Sequence, residues 1–161
     1  MMGLPLEDIE IGKVHELGSY AFTRENVLSF ARRFDPQPFH LDDNAAARGP
    51  FGRLAASGWH TAAAWMKCYI ATNQVAEAKR RVEGKLCYTT RPSPGFDNLK
   101  WIKPVFPGDT INYRLTVTGK RDLASRPDLG MLFSRSEGFN QNGELVYSYE
   151  GKVLSAKQSN P

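Results

Sequence analysis

Apolar positions recur at helical spacing in the first half of the chain and alternate in the second. Behind Thr23, a good N-cap with Asn26 three residues on, Val27, Leu28, Phe30, Ala31 and Phe34 follow at roughly helical intervals. This predicts a helix ending near Phe34, because Pro36 stops it. A second helix is predicted from Ser57-Gly58 through Trp59, Ala62, Ala63, Trp65, Met66, Tyr69 and Ile70 to about Ala76 or beyond. It is rich in Ala and apolar on nearly all sides up to Lys67, the signature of a buried helix.

Strands follow. An early one, about Val14 to Phe22, precedes the first helix. Leu99 to Val105, Thr110 to Lys120, Gly130 to Gln141 and Glu144 to Ser155 carry alternation or β-branched and aromatic enrichment. Asn142-Gly143 predicts a two-residue hairpin turn joining the last two. Pro107-Gly108-Asp109 and Arg126-Pro127-Asp128 mark the other turns. Four consecutive strands after two helices predict an α+β fold, a sheet wrapped around one buried helix.

Length changes this picture little: 161 residues suggest a single domain over 1–161, with 155–161 as a frayed tail. No apolar run approaches the roughly 20 residues of a membrane helix. Met1 to Glu10 carries Glu7, Asp8 and Glu10 and no apolar core, so no secretory signal is visible. Two cysteines, Cys68 and Cys87, are too few for a disulfide framework, and a cytoplasmic location is expected. The net charge of +4 comes from scattered residues without an aromatic-basic platform, so no nucleic-acid partner is expected. A mildly positive field suits an anionic small molecule, such as one carrying phosphates. His40, His60, Cys68 and Cys87 lack the paired short spacings of zinc sites, so no metal is expected. Gly49-Pro50-Phe51-Gly52-Arg53 follows no evident strand and is a poor phosphate loop.

The candidate chemistry lies in Asp35-Pro36-Gln37-Pro38-Phe39-His40. Each proline fixes its own φ, lacks an N–H and biases its predecessor toward extended geometry. The segment is therefore expected to be non-helical and stiff, with Asp35 and Gln37 extended. Stiffness suits an acid–base pair, which works only when held near one geometry. Asp42 and Asp43 read as a helix-capping pair, Ser57 as an N-cap, and His15 and His60 as structural histidines.

Phe34-Asp35-Pro36-Gln37-Pro38-Phe39-His40 resembles the hydratase signature of MaoC-like, R-specific enoyl-CoA hydratases. Ser57-Gly58-Trp59 resembles the start of that family's central helix. Lys103-Pro104-Val105-Phe106-Pro107-Gly108-Asp109-Thr110 and Asn140-Gln141-Asn142-Gly143-Glu144-Leu145-Val146 resemble its later strand–turn motifs. The resemblance spans nearly the whole chain, in order. It implies a hotdog fold, a long helix wrapped by a curved antiparallel sheet and usually paired edge to edge as a homodimer. It departs at Phe34, where Gly is usual, at Gln37, where Asn is usual, and at Trp59, where Met is usual. These departures bear on substrate identity more than on reaction type.

The implied activity is hydration of a 2-enoyl thioester, or the reverse dehydration. Coenzyme A or an acyl carrier protein would belong to the substrate, with no further cofactor. Asp35 and His40 would grip and activate one water, imidazole being the group that ordinarily titrates near neutral pH. The first N–H groups of a helix lack internal partners, so Gly58 N–H would serve as the oxyanion donor. Ser57 or Gln37 would support the loop. Phe34, Phe39, Phe51 and Trp59 would line an acyl pocket. Arg53, Lys85, Arg91 and Lys100 are candidate phosphate contacts, with a solvated face as the plainer reading for each. Two other readings remain at this stage: thioester hydrolysis, and a non-catalytic acyl-binding module.

Overall fold

The structure is a computed structural model that describes residues 3–88 and 91–158. A short 3-10 turn, Leu6–Asp8, precedes β1 (Val14–Ala21) and α1 (Arg24–Phe34). Two small helices follow, α2 (Pro38–Leu41) and α3 (Asp43–Ala47), then the long α4 (Gly58–Val82). The chain ends in β2 (Gly95–Trp101), β3 (Thr110–Asp122), β4 (Leu129–Phe139) and β5 (Leu145–Ala156). The strands form one antiparallel sheet in the order β1-β3-β4-β5-β2. This is the α+β hotdog arrangement, with α4 against the concave face. A bulge in β1 between Glu16 and Gly18 adds curl, and Gly18 takes the φ of +88° that the bend requires.

Period-2 alternation explains the core. Ile111, Tyr113, Leu115 and Val117 of β3 are buried and point at α4, which answers with His60, Thr61, Ala64, Trp65 and Cys68. Tyr113 donates its hydroxyl to the Thr61 carbonyl at 2.9 Å, so the largest fully buried ring leaves no unpaired oxygen. Each such apolar side chain contributes about 1.5–3 kcal/mol by leaving water.

Several expectations need correction. The Asp35–His40 segment is not wholly non-helical: α2 begins at Pro38, where a helix's first N–H has no internal partner and its loss costs nothing. Gln37 is extended (φ −75°, ψ 141°), while Asp35 sits at φ −151°, ψ 69°. α4 is not buried all round. A single sheet covers one side, and Trp59, Met66 and Ile70 stay 53%, 49% and 45% exposed. Its run beyond Ala76, to Val82, is as expected, on Ala, Glu, Lys and Arg residues that favour helix. β2 lies earlier than Leu99 to Val105: Pro104 cannot extend a ladder, whereas Gly95 and Phe96 pair with Lys152 and Gly151. The last hairpin closes through three residues, because the Asn140 N–H donates to the Glu144 carbonyl at 3.0 Å across 141–143. Ser155 and Ala156 belong to β5, with Ser155 buried, and Lys157 N–H donates to the Asp128 carbonyl at 2.9 Å, so the frayed tail expected over 155–161 is not seen in 155–158; residues 159–161 lie outside the described ones.

Candidate active site

Asp35 is the residue that ends α1, its N–H donating to the Ala31 carbonyl at 3.0 Å. Gln37 N–H donates to the Asp35 carbonyl (2.8 Å) and His40 N–H to the Gln37 carbonyl (2.9 Å), folding the five-residue step into one tight unit. His40 is buried on α2, with the Phe39 ring 4.4 Å away by centroids. The Ala55 carbonyl lies 2.7 Å from His40 Nδ1 and accepts a hydrogen bond from its N–H. In the neutral ring the Nε2 lone pair then faces Asp35 Oδ2 at 3.5 Å. Two acceptors set side by side in this way can share the protons of one water or hydroxyl.

Asp35 is held from two more directions. Ser57 Oγ donates to its Oδ2 at 2.6 Å, and Gln37 Nε2 to its Oδ1 at 2.8 Å. Burial pushes the carboxyl up, but the bonds from Ser57 and Gln37 and the charge of His40 outweigh it. Asp35 therefore titrates below the ordinary 3.8 and is a carboxylate at neutral pH. Ser57, fully buried, also accepts the Trp59 N–H at 3.2 Å and so caps α4. Gly58 N–H has no partner among the described residues, as expected of the first helical amide. A Cβ on Gly58 would lie 2.5 Å from the indole of Trp101, which rests on the helix mouth. Trp59 and Trp101 meet edge to face at 5.2 Å.

A family model described as "MaoC like domain" matches residues 9–129. The chain belongs to the MaoC-like family. A solved MaoC-like dehydratase from Rhodospirillum rubrum is 32% identical, superposes with a TM-score of 0.78, and is matched over 98% of this chain and 100% of its own. An uncharacterised Bacillus subtilis protein, YdeM, is 28% identical over 94% of this chain and 98% of its own length. A mesaconyl-CoA hydratase from Cereibacter sphaeroides is 39% identical over 64 residues, which are 40% of this chain and 18% of that protein.

The remaining predicted site residues of this MaoC-like protein disperse. Phe39 touches His40, but Phe51 is 40% exposed, with its ring 5.9 Å from that of Phe39. Phe34 is 66% exposed, packed on Phe30 of its own helix with the Arg33 guanidinium 5.6 Å above it. Arg53 lays its guanidinium 3.7 Å over the Phe106 ring. Lys85 pairs with Glu83, while Arg91 and Lys100 are exposed and far apart in the fold. Asp42 caps α3 through the Ala45 N–H at 2.8 Å, whereas Asp43 departs from the capping pair and forks with Arg24 at 2.9 and 2.5 Å. A 510 Å³ cavity between α4 and the sheet is lined by Trp59 and not by Phe34, Phe39 or Phe51. Trp101 is the residue the sequence reading missed; an aromatic at the end of a strand was the available signal, and only the register with Tyr147 brings it to Gly58.

Proposed function

We propose that the protein is a hydro-lyase that interconverts a 2-enoyl and a 3-hydroxyacyl thioester, carried on coenzyme A or an acyl carrier protein. The observation that carries this reading is the meeting of His40 Nε2 and Asp35 Oδ2 at 3.5 Å beside the unpaired amide that opens α4. In hydration, water held between the two acceptors gives up a proton as its oxygen bonds to C3. Charge then builds on the thioester oxygen, and Gly58 N–H stabilises it; one such donor contributes about 2.7–4 kcal/mol. The proton taken from water is delivered to C2, so H and OH both end on the product. The reverse sequence eliminates water. Asp35 and His40 act on that water as a unit.

The match to part of a mesaconyl-CoA hydratase supports an acyl-CoA substrate. Thioester hydrolysis is the weaker reading, because the first turn of α4 carries no acidic residue. The exposed stripe of Trp59, Met66 and Ile70, together with the open edge of β2, fits pairing with a second copy. Asp35→Asn keeps shape and removes charge, so it is expected to lower enoyl-CoA hydration at least about 100-fold with the melting transition retained. His40→Gln is expected to do the same. Enone absorbance at unchanged rates in both variants overturns the assignment.

A further inference from the structure

Two links cross between α1, which ends at Asp35, and the first turn of α4. One is polar: Ser57 Oγ donates to Asp35 Oδ2 at 2.6 Å. The other is aromatic: the His60 ring of α4 lies flat on the Phe30 ring of α1, centroids 4.6 Å apart and planes at 4°. His60 is one turn beyond Ser57, its N–H donating to the Ser57 carbonyl at 3.0 Å, and Phe30 is just over a turn before Asp35. The aromatic link continues toward the carboxylate. Phe34, four positions after Phe30 and so on the same helix face, meets it at 4.9 Å and directly precedes Asp35. His60 is itself fixed in place. It is 4% exposed, Phe22 and Tyr20 meet it edge-on at 4.8 and 5.6 Å, and the Tyr20 hydroxyl lies 3.3 Å from Nε2. Glu25 and Arg33 border the hollow beside it, and Lys67 sits over the Tyr20 ring. Burial lowers the His60 pKa to about 4, so an uncharged ring makes the stack at neutral pH.

We infer that His60, Phe30 and Phe34 are positioning residues: their stack fixes the separation of α1 from α4, and with it the place of the Asp35 carboxylate beside Ser57, His40 and Gly58. That this placement matters to catalysis rests on the hydro-lyase reading; that the stack holds Asp35 does not. The chain between the two helices does not do this alone. Pro36 breaks helical continuity after Asp35, and residues 48–57 form neither helix nor strand. A hydrogen bond of 2.6 Å tolerates little displacement, whereas close-packed rings resist it. Flat aromatic faces suit the task, because one contact fixes distance and tilt together. Phe34 is 66% exposed and adds little to the core. What it contacts is Phe30, one residue before the carboxylate.

The test is Phe30→Leu, which keeps apolar bulk and removes the flat face, beside Phe30→Tyr and His60→Phe, which keep both rings of the stack. Two quantities are read. One is hydration of crotonyl-CoA and trans-2-decenoyl-CoA, followed by enone absorbance. The other is the titration of the Asp35 carboxyl carbon by NMR, which separates it from His60. Phe30→Leu is expected to lower kcat about 10- to 100-fold with KM changed less than about twofold, the loss that a displacement of about 1 Å produces. Its Asp35 is expected to titrate nearer the ordinary 3.8, because the Ser57 bond that helps hold it lower is lengthened. Phe30→Tyr and His60→Phe are expected to stay close to wild type in both readouts. Phe34→Ala, at an exposed position, is expected to shift Asp35 in the same direction as Phe30→Leu, and it decides the matter if circular dichroism shows Phe30→Leu unfolded. Active wild type with unchanged kcat or an unmoved Asp35 titration in the folded variant overturns this inference and leaves the hydro-lyase reading intact. Equal losses in Phe30→Leu, Phe30→Tyr and His60→Phe also overturn it. No hydration by wild type, with Asp35 still shifted in Phe30→Leu or Phe34→Ala, removes the hydro-lyase reading and keeps the stack as what holds Asp35.

Discussion

Replacing Ser57 with Ala removes two bonds from one atom and separates their contributions by pH. Its hydroxyl donates to the Asp35 carboxylate at 2.6 Å and accepts the Trp59 amide at 3.2 Å, in a fully buried position. The first is a hydrogen bond to a charged group, contributing about 1.5–3 kcal/mol. The second is a helix cap, contributing about 1 kcal/mol. Ser57→Ala is therefore expected to cost about 2–4 kcal/mol at pH 7 by urea unfolding. The sign of the pH dependence follows from Asp35. Its folded pKa lies below the ordinary 3.8, so its stabilisation is complete above that value and is lost as pH falls through the lower folded one. Losing the Ser57 bond raises the folded pKa. The gap between wild type and variant should hence narrow as pH falls below about 4, toward the cap contribution alone. A gap under about 1 kcal/mol at pH 7, or one that stays constant as Asp35 is protonated in acid, refutes a charge-assisted bond between Ser57 and Asp35.

Other predictions follow from neighbouring contacts. Gly58→Ala drives a methyl into the Trp101 indole and should cost about 1–3 kcal/mol, a cost that disappears in a Trp101→Ala background; equal costs in both backgrounds would show that the indole is not the obstacle. His60 is buried against Phe30, its ring stacked at 4.6 Å, and burial lowers its pKa to about 4. The unfolded chain takes up that proton below about 6.5 and the folded one only near 4, so stability should fall between those values and level off beneath them. His60→Leu should lose this slope, and parallel pH profiles of the two urea midpoints would contradict it.

The sequence made the strong local signals legible. Thr23 caps α1 through the Asn26 amide, as its spacing with Asn26 foretold. Alternation placed β3 within two residues of its ends, since half its side chains face one core. Asp35 and His40 were brought together as their spacing and the resemblance suggested. What failed depended on three dimensions. Apolar residues round α4 signalled burial, yet only the face against the sheet and α1 is covered, and Trp59, Met66 and Ile70 stay open to solvent. Pro38 reads as a helix breaker until its position in the first turn is known. Phe34 and Phe51 looked like pocket lining because they flank the motif, but the direction of a side chain is set by its helix or turn, and theirs point to solvent. Trp101 could not be found at all from spacing, because a strand register carries it to Gly58 across 43 positions of sequence.

The polar groups of the candidate site come from residues 35–58, and the five-stranded sheet contributes none of them. One backbone bond, Ala56 N–H to the Val105 carbonyl at 2.8 Å, helps fasten this insert to the frame. The scaffold and the candidate cluster are thus separable inheritances. A descendant can exchange Asp35 or His40 and keep every strand ladder. Conversely, a descendant can reshape the walls of the cavity from β2 and β5 without disturbing the two acceptors.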